Sequence, residues 1–108
     1  MEQIFNKLVR DNIPSIIKQN GEEPITKTLD YEEYKKELYK KLLEEANEVI
    51  NAQDKDALLE ELADVFEILK AIAESVGKNI NDVEEIANQK SLKRGGFSKR
   101  IFLEKTYK

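Results

Sequence analysis

From Asp30 to Val76 apolar residues recur at spacings of three and four, and this periodicity constrains the fold more than any other feature of the chain. Tyr31, Tyr34, Leu38, Leu42, Ala46 and Val49 form one stripe, and Leu58, Leu62, Val65, Phe66, Leu69, Ile72 and Val76 form a second. Asp30, with Glu33 three residues on, makes a capping box and predicts a helix from there to about residue 53. Asp54 is the cap expected for a second helix running to about Val76, where Gly77 stops it. Two long helices with so short a link predict an antiparallel hairpin. Such a hairpin buries little by itself, so stripes this wide call for a third helix or a second chain.

The flanking segments are shorter. Pro14 opens a brief helix, PSIIKQN, which Gly21 closes. ITKTL (25–29) reads as a short strand, and a third helix begins near Asn81 and ends at RGGF. KRIFLEKTY is the expected partner strand for ITKTL. The expected fold is therefore all-α: a helical hairpin plus a third helix, with short terminal strands, completed as a helical bundle by dimerisation. At 108 residues the chain makes one domain, 1–108.

Two acidic residues break the pattern of the stripes. At about 100° per residue, Glu45 points between the directions of Tyr34 and Leu38, inside the apolar arc. Glu48 lies just outside the same edge, and Glu44 is further round, toward solvent. On the second helix Glu61 points between Ile68 and Ile72, and Asp64 sits at the margin between Ile68 and Ala71. Glu60 and Glu67 face water. Each helix thus offers one inward carboxylate and one at the rim, one turn apart.

Burying an ionised carboxylate costs several kcal/mol, of order 3–5, unless a counter-charge is present. Lys41 is the one basic residue of these helices near the edge, while Lys70 points elsewhere. A lone Glu at the edge of a stripe ordinarily snorkels or pairs with a lysine. Two acid-x-x-acid pairs on adjacent helices favour a shared cation. The chain has no Cys and no His, so that cation is hard and oxygen-bound: Mg²⁺, Mn²⁺ or Ca²⁺. The absence of any DxDxDG loop argues against a calcium buffer.

EANE (45–48), twelve residues and then ELAD (61–64) resemble the E-x-x-E, spacer, E-x-x-D signature of the MazG-like all-α nucleoside triphosphate pyrophosphohydrolases. That superfamily also holds phosphoribosyl-ATP pyrophosphohydrolase and dimeric dUTPases. NKLVRDNIP, LLEEANEV, EELADVFEIL and KRGGFSKRIFLE are similar to a compact bacterial and phage branch of it. The resemblance implies a core built by dimerisation or tetramerisation. It also implies Mg²⁺ (or Mn²⁺) held by Glu45, Glu48, Glu61 and Asp64, and hydrolysis of a nucleoside triphosphate, canonical or, as in housecleaning enzymes, non-canonical, to the monophosphate and pyrophosphate.

That chemistry asks the protein for no nucleophile, which suits a chain without Cys or His. Glu45 or Glu48 is the candidate base for the attacking water. Lys90 and Arg94, one turn apart before Gly95 and Gly96, are candidate phosphate ligands, although a basic helix end with a glycine stop is common without any ligand. The resemblance adds Lys7 and Arg10, near the site, in a flap over the phosphates. Arg10 could equally pair with Asp11. Phe5, Phe97 and Phe102 could stack on a base, but isolated aromatics are more often core.

Two other readings stand beside this one. The first is phosphoribosyl-ATP pyrophosphohydrolase of histidine biosynthesis, whose compact pattern KLVRDNIP and GGFSKRIFLE fit less well. The second is a non-catalytic helical interaction module. A formal charge of −4 gives no global attraction to a nucleic acid polymer. No apolar run approaches the roughly 20 residues a membrane span needs, and no signal-peptide core follows Met1, so the expected location is the cytoplasm.

Overall fold

The computed structural model describes residues 1–108 as four helices and no strands. Helix α1 spans Ile13–Gln19, α2 Tyr31–Ile50, α3 Lys55–Ser75 and α4 Ile80–Arg94. The capping residues act as their sequence positions dictate. The Asp30 carboxylate accepts from the Glu33 amide at 2.9 Å, and Glu33 accepts from the Asp30 amide at 3.4 Å. Asp54 accepts from the Ala57 amide at 2.8 Å and so starts α3. Asn79 and Asp82 form a second capping box, which starts α4 one residue earlier than the position near Asn81 expected from sequence.

Helix α2 stops at Ile50 and not near residue 53. The Asn51 side chain turns back to donate to the Asn47 carbonyl at 2.9 Å, and Gln53 donates to the Asn51 carbonyl at 3.1 Å. Both bonds satisfy carbonyls at or just beyond the helix end and favour the turn over further helix. The four residues 51–54 then reverse the chain, and α2 and α3 pack as the expected hairpin. At its open end the Tyr31 hydroxyl donates to the Ser75 carbonyl at 2.8 Å.

The two segments expected as strands are neither helix nor strand here. No backbone hydrogen bond joins ITKTL to KRIFLEKTY, and the one backbone bond within the tail is the turn from the Arg100 amide to the Phe97 carbonyl, 3.0 Å. Alternating composition makes a segment competent for a ladder, but without an adjacent strand edge its amides stay with solvent.

The core within the chain is very small. Leu38 (2 % exposed) and Ala73 (5 %) are the two buried residues, both toward the open end of the hairpin. Tyr31, Leu58, Leu62, Phe66, Leu69 and Val76, all members of the two stripes, remain exposed on the faces expected to be covered. The radius of gyration is 18.5 Å, against about 13 Å for a compact chain of this length. Helix α4 packs against α3, and the molecule reaches 63 Å in its longest dimension. No helix is long and apolar enough to cross a membrane.

Candidate metal centre

Glu45 lies five residues before the end of α2, and Glu61 lies six residues after the start of α3. In an antiparallel hairpin with a tight connection those positions are level with each other. The result is the convergence of Glu45, Glu61 and Asp64, each half-buried, with one carboxylate oxygen of each lying within 4.8 Å of the others. The inward direction read from the two apolar arcs is therefore what brings Glu45 and Glu61 together, and Asp64 joins from one turn along α3.

Glu48 does not share in this convergence. It is exposed, one turn beyond Glu45, and stands outside the group. Its position just past the edge of the stripe already turned it toward water. Glu44, also on the wet side, gathers cations: Lys41 Nζ lies 3.5 Å from it and Lys7 Nζ 3.8 Å.

Three carboxylates at this spacing repel one another, and two basic side chains offset the charge. Arg10 Nη2 donates to Asp64 Oδ1 at 2.7 Å, and Lys41 Nζ lies 4.0 Å from Glu45. Arg10 comes from the segment before α1, so Lys7 and Arg10 both reach the acidic end of the hairpin, and Arg10 pairs with Asp64 in place of its neighbour Asp11. The Arg10–Asp64 side chains are 57 % and 40 % exposed, which limits such a pair to about 1 kcal/mol or less. The Glu45 carboxyl is held above its ordinary value of 4.5. Burial is the main cause and Asp64 the next, with Lys41 opposing and Glu61 and Glu44 adding to the rise.

The donor set fits a hard divalent cation. Opposed oxygens in a Mg²⁺ shell lie about 4.2 Å apart and in a Ca²⁺ shell up to about 5.2 Å, so side-chain movement of under about 1 Å closes the group on either ion. Three carboxylates with no nitrogen or sulfur donor nearby also match that class of ion and not a soft one.

Lys90 and Arg94 do not join this group within the chain. They line an open groove of about 480 Å³ at the end of α4, with Ser91, Gly95, Gly96 and Phe97. Gly95 takes φ 78°, the left-handed conformation that ends the helix. The direct contact of Arg10 with Asp64 is the feature that sequence spacing could not specify, since it joins residues 54 positions apart.

A four-helix chain whose central hairpin directs carboxylates from both arms to one point is of the MazG-like all-α class. Within that class the chain belongs to the phosphoribosyl-ATP pyrophosphohydrolase family, whose sequence model matches residues 10–91. The match takes in α1 to α3 and most of α4, and leaves GGFSKRIFLE and most of the N-terminal segment outside. An uncharacterized protein of Mycolicibacterium smegmatis is 44 % identical over 54 residues, covering 50 % of this chain and 55 % of that protein. The chain thus spans about half the length of the curated relative it matches. No solved structure matches the chain.

Proposed function

We propose that the chain is a Mg²⁺-dependent nucleotide pyrophosphohydrolase that hydrolyses a nucleoside triphosphate to the monophosphate and pyrophosphate. The observation that carries this reading is the approach of Glu45, Glu61 and Asp64 to within 4.8 Å across the hairpin. Glu45, Glu61 and Asp64 would hold the cation, and Glu48 would join them after a side-chain rotation toward the rim. A bound divalent cation supplies charge neutralisation for phosphate oxygens and favours deprotonation of water.

The chain's own groups do the remaining work. Water attacks phosphorus, its proton passes to Glu45 or Glu48, and the bond between the α- and β-phosphates breaks, with the electron pair leaving on pyrophosphate. The raised Glu45 carboxyl, lifted mainly by burial, makes it a stronger proton acceptor than an ordinary glutamate. Lys7 and Arg10 beside the carboxylates, with Lys90 and Arg94, are the proposed partners of the phosphates. Arg10 has to leave Asp64 to take that role.

A homodimer or homotetramer is part of the proposal, because two buried residues make too small a core for 108. Sedimentation should give a dimer or larger species, and a well-folded monomer would contradict the use of the exposed stripes. The family description favours a second reading, in which phosphoribosyl-ATP itself is the substrate. The deciding experiment is a hydrolysis panel with Mg²⁺, covering standard and non-standard nucleoside triphosphates and phosphoribosyl-ATP, scored for pyrophosphate against phosphate. Pyrophosphate from triphosphates supports the first reading, and turnover confined to phosphoribosyl-ATP supports the second. No pyrophosphate from any of them, with no effect of Mg²⁺ on melting, returns the chain to a non-catalytic helical module.

A further inference from the structure

Charge is sharply divided along the sequence. Residues 90–108 carry seven Lys or Arg and a single acid, Glu104, whereas residues 1–89 carry eleven bases against twenty-one acids. The body of the molecule therefore has a net charge of −10 and the C-terminal part +6. The ion pairs of the structure all lie in the body: Lys7, Arg10, Lys40, Lys41 and Lys70 with their acidic partners. None of the seven C-terminal cations is paired with a carboxylate.

The same segment is rich in apolar side chains with nothing to cover them. Phe97 is 98 % exposed and Phe102 87 %, and Leu92, Ile101, Leu103 and Tyr107 are likewise open to solvent. After Gly95 the chain is neither helix nor strand, with one turn at Phe97–Arg100, and no hydrogen bond or ion pair returns it to its own hairpin. Fully stretched, those thirteen residues would reach about 45 Å. The hairpin meanwhile exposes Leu43, Leu62 and Phe66 beside an excess of carboxylates.

We propose that the end of α4 and the segment after it form an arm that crosses to a second copy of this chain and lies along the acidic hairpin there. Its apolar residues cover the open stripe, and its lysines and arginines face the other copy's carboxylates. A free polyanion is the poorer occupant, because a body of charge −10 repels it and because Phe97, Ile101 and Phe102 would stay wet. The docking depends only on charge and exposure. One consequence rests on the proposed hydrolysis: the cations that meet the phosphates, Lys90 and Arg94, would then come from the opposite copy.

The absence of cysteine makes the test clean. Ser98→Cys, in the full chain, is labelled with a benzophenone maleimide, and equal amounts of ¹⁴N and ¹⁵N chains are mixed in urea, refolded together, treated with nuclease and irradiated. The expected result is cross-links from residue 98 into residues 31–75, about half of them joining a light peptide to a heavy one. Lys99→Glu with Arg100→Glu should weaken the dimer at least tenfold by sedimentation, as should raising the salt from 50 to 500 mM. Cross-links confined to peptides of one isotope would place the arm on its own chain and overturn the proposal. Cross-links that miss α2 and α3, or that vanish with nuclease, would overturn it too. Mixed cross-links in a chain that releases no pyrophosphate would retire the hydrolysis and leave the arm standing, while turnover without them would do the reverse.

Discussion

Replacing Glu61 with glutamine should move stability and metal binding in opposite directions. In the metal-free chain the Glu61 carboxylate faces two others within 4.8 Å. Two unit charges at that distance repel by ~0.9 kcal/mol at the dielectric of water and ~3.5 kcal/mol at an effective value of 20. The three groups are only half-buried, and Arg10 and Lys41 already offset part of the charge, so the lower end applies. Glu61→Gln keeps the shape and removes one charge, which should stabilise the metal-free protein by about 1 kcal/mol, or ~4–8 °C in melting temperature for a domain of this size. Saturating Mg²⁺ should reverse the order, because a ligand at a hundred times its dissociation constant adds ~2.7 kcal/mol to the form that binds it. Melting by circular dichroism in EDTA and in Mg²⁺, for wild type and variant, reads both effects. A variant that melts lower in EDTA, or that gains from Mg²⁺ as wild type does, would refute the shared cation site.

Arg10→Ala removes the side chain that competes with a cation for Asp64, and should tighten Mn²⁺ or Mg²⁺ binding up to about fivefold by calorimetry, the limit set by an exposed pair; weaker binding would mean that Arg10 supports the site. Glu48→Gln separates base from ligand: a hundredfold loss of kcat with metal affinity unchanged makes Glu48 the base, whereas a parallel loss of both makes it a ligand. The Glu45 carboxyl is raised on folding, so between 4.5 and that raised value the folded chain keeps a proton the unfolded chain has released, and metal-free stability should fall as pH rises through that window. Subtracting the same melting series for Glu45→Gln isolates this contribution, and identical pH slopes in the two proteins would assign the dependence to other groups.

The parts of this molecule that could be read in the sequence are those governed by neighbours three or four residues apart. The Asp30–Glu33 box, the Asp54 cap and the inward direction of Glu45 and Glu61 follow from helical geometry alone, and each is found in the fold. The early end of α2 needed the Asn51 side chain bond, a local choice that composition leaves open. The Arg10–Asp64 pair depends on where a nonhelical segment crosses the hairpin, which no periodicity encodes. ITKTL and KRIFLEKTY show the same limit from the other side: strand propensity describes what a segment tolerates, and a partner edge decides whether it pairs.

The link between α2 and α3 works as a ruler. One residue added to or taken from residues 51–54, if absorbed into α3, would turn that helix by about 100° and slide it by about 1.5 Å, carrying Glu61 off the face that meets Glu45. Changes in the chemistry of those four positions, Asp54 apart, should be forgiven far more readily than a change in their number. Diversification of such a scaffold toward new substrates is therefore freest at its two ends, where lengthening the chain leaves the register of the paired arms alone.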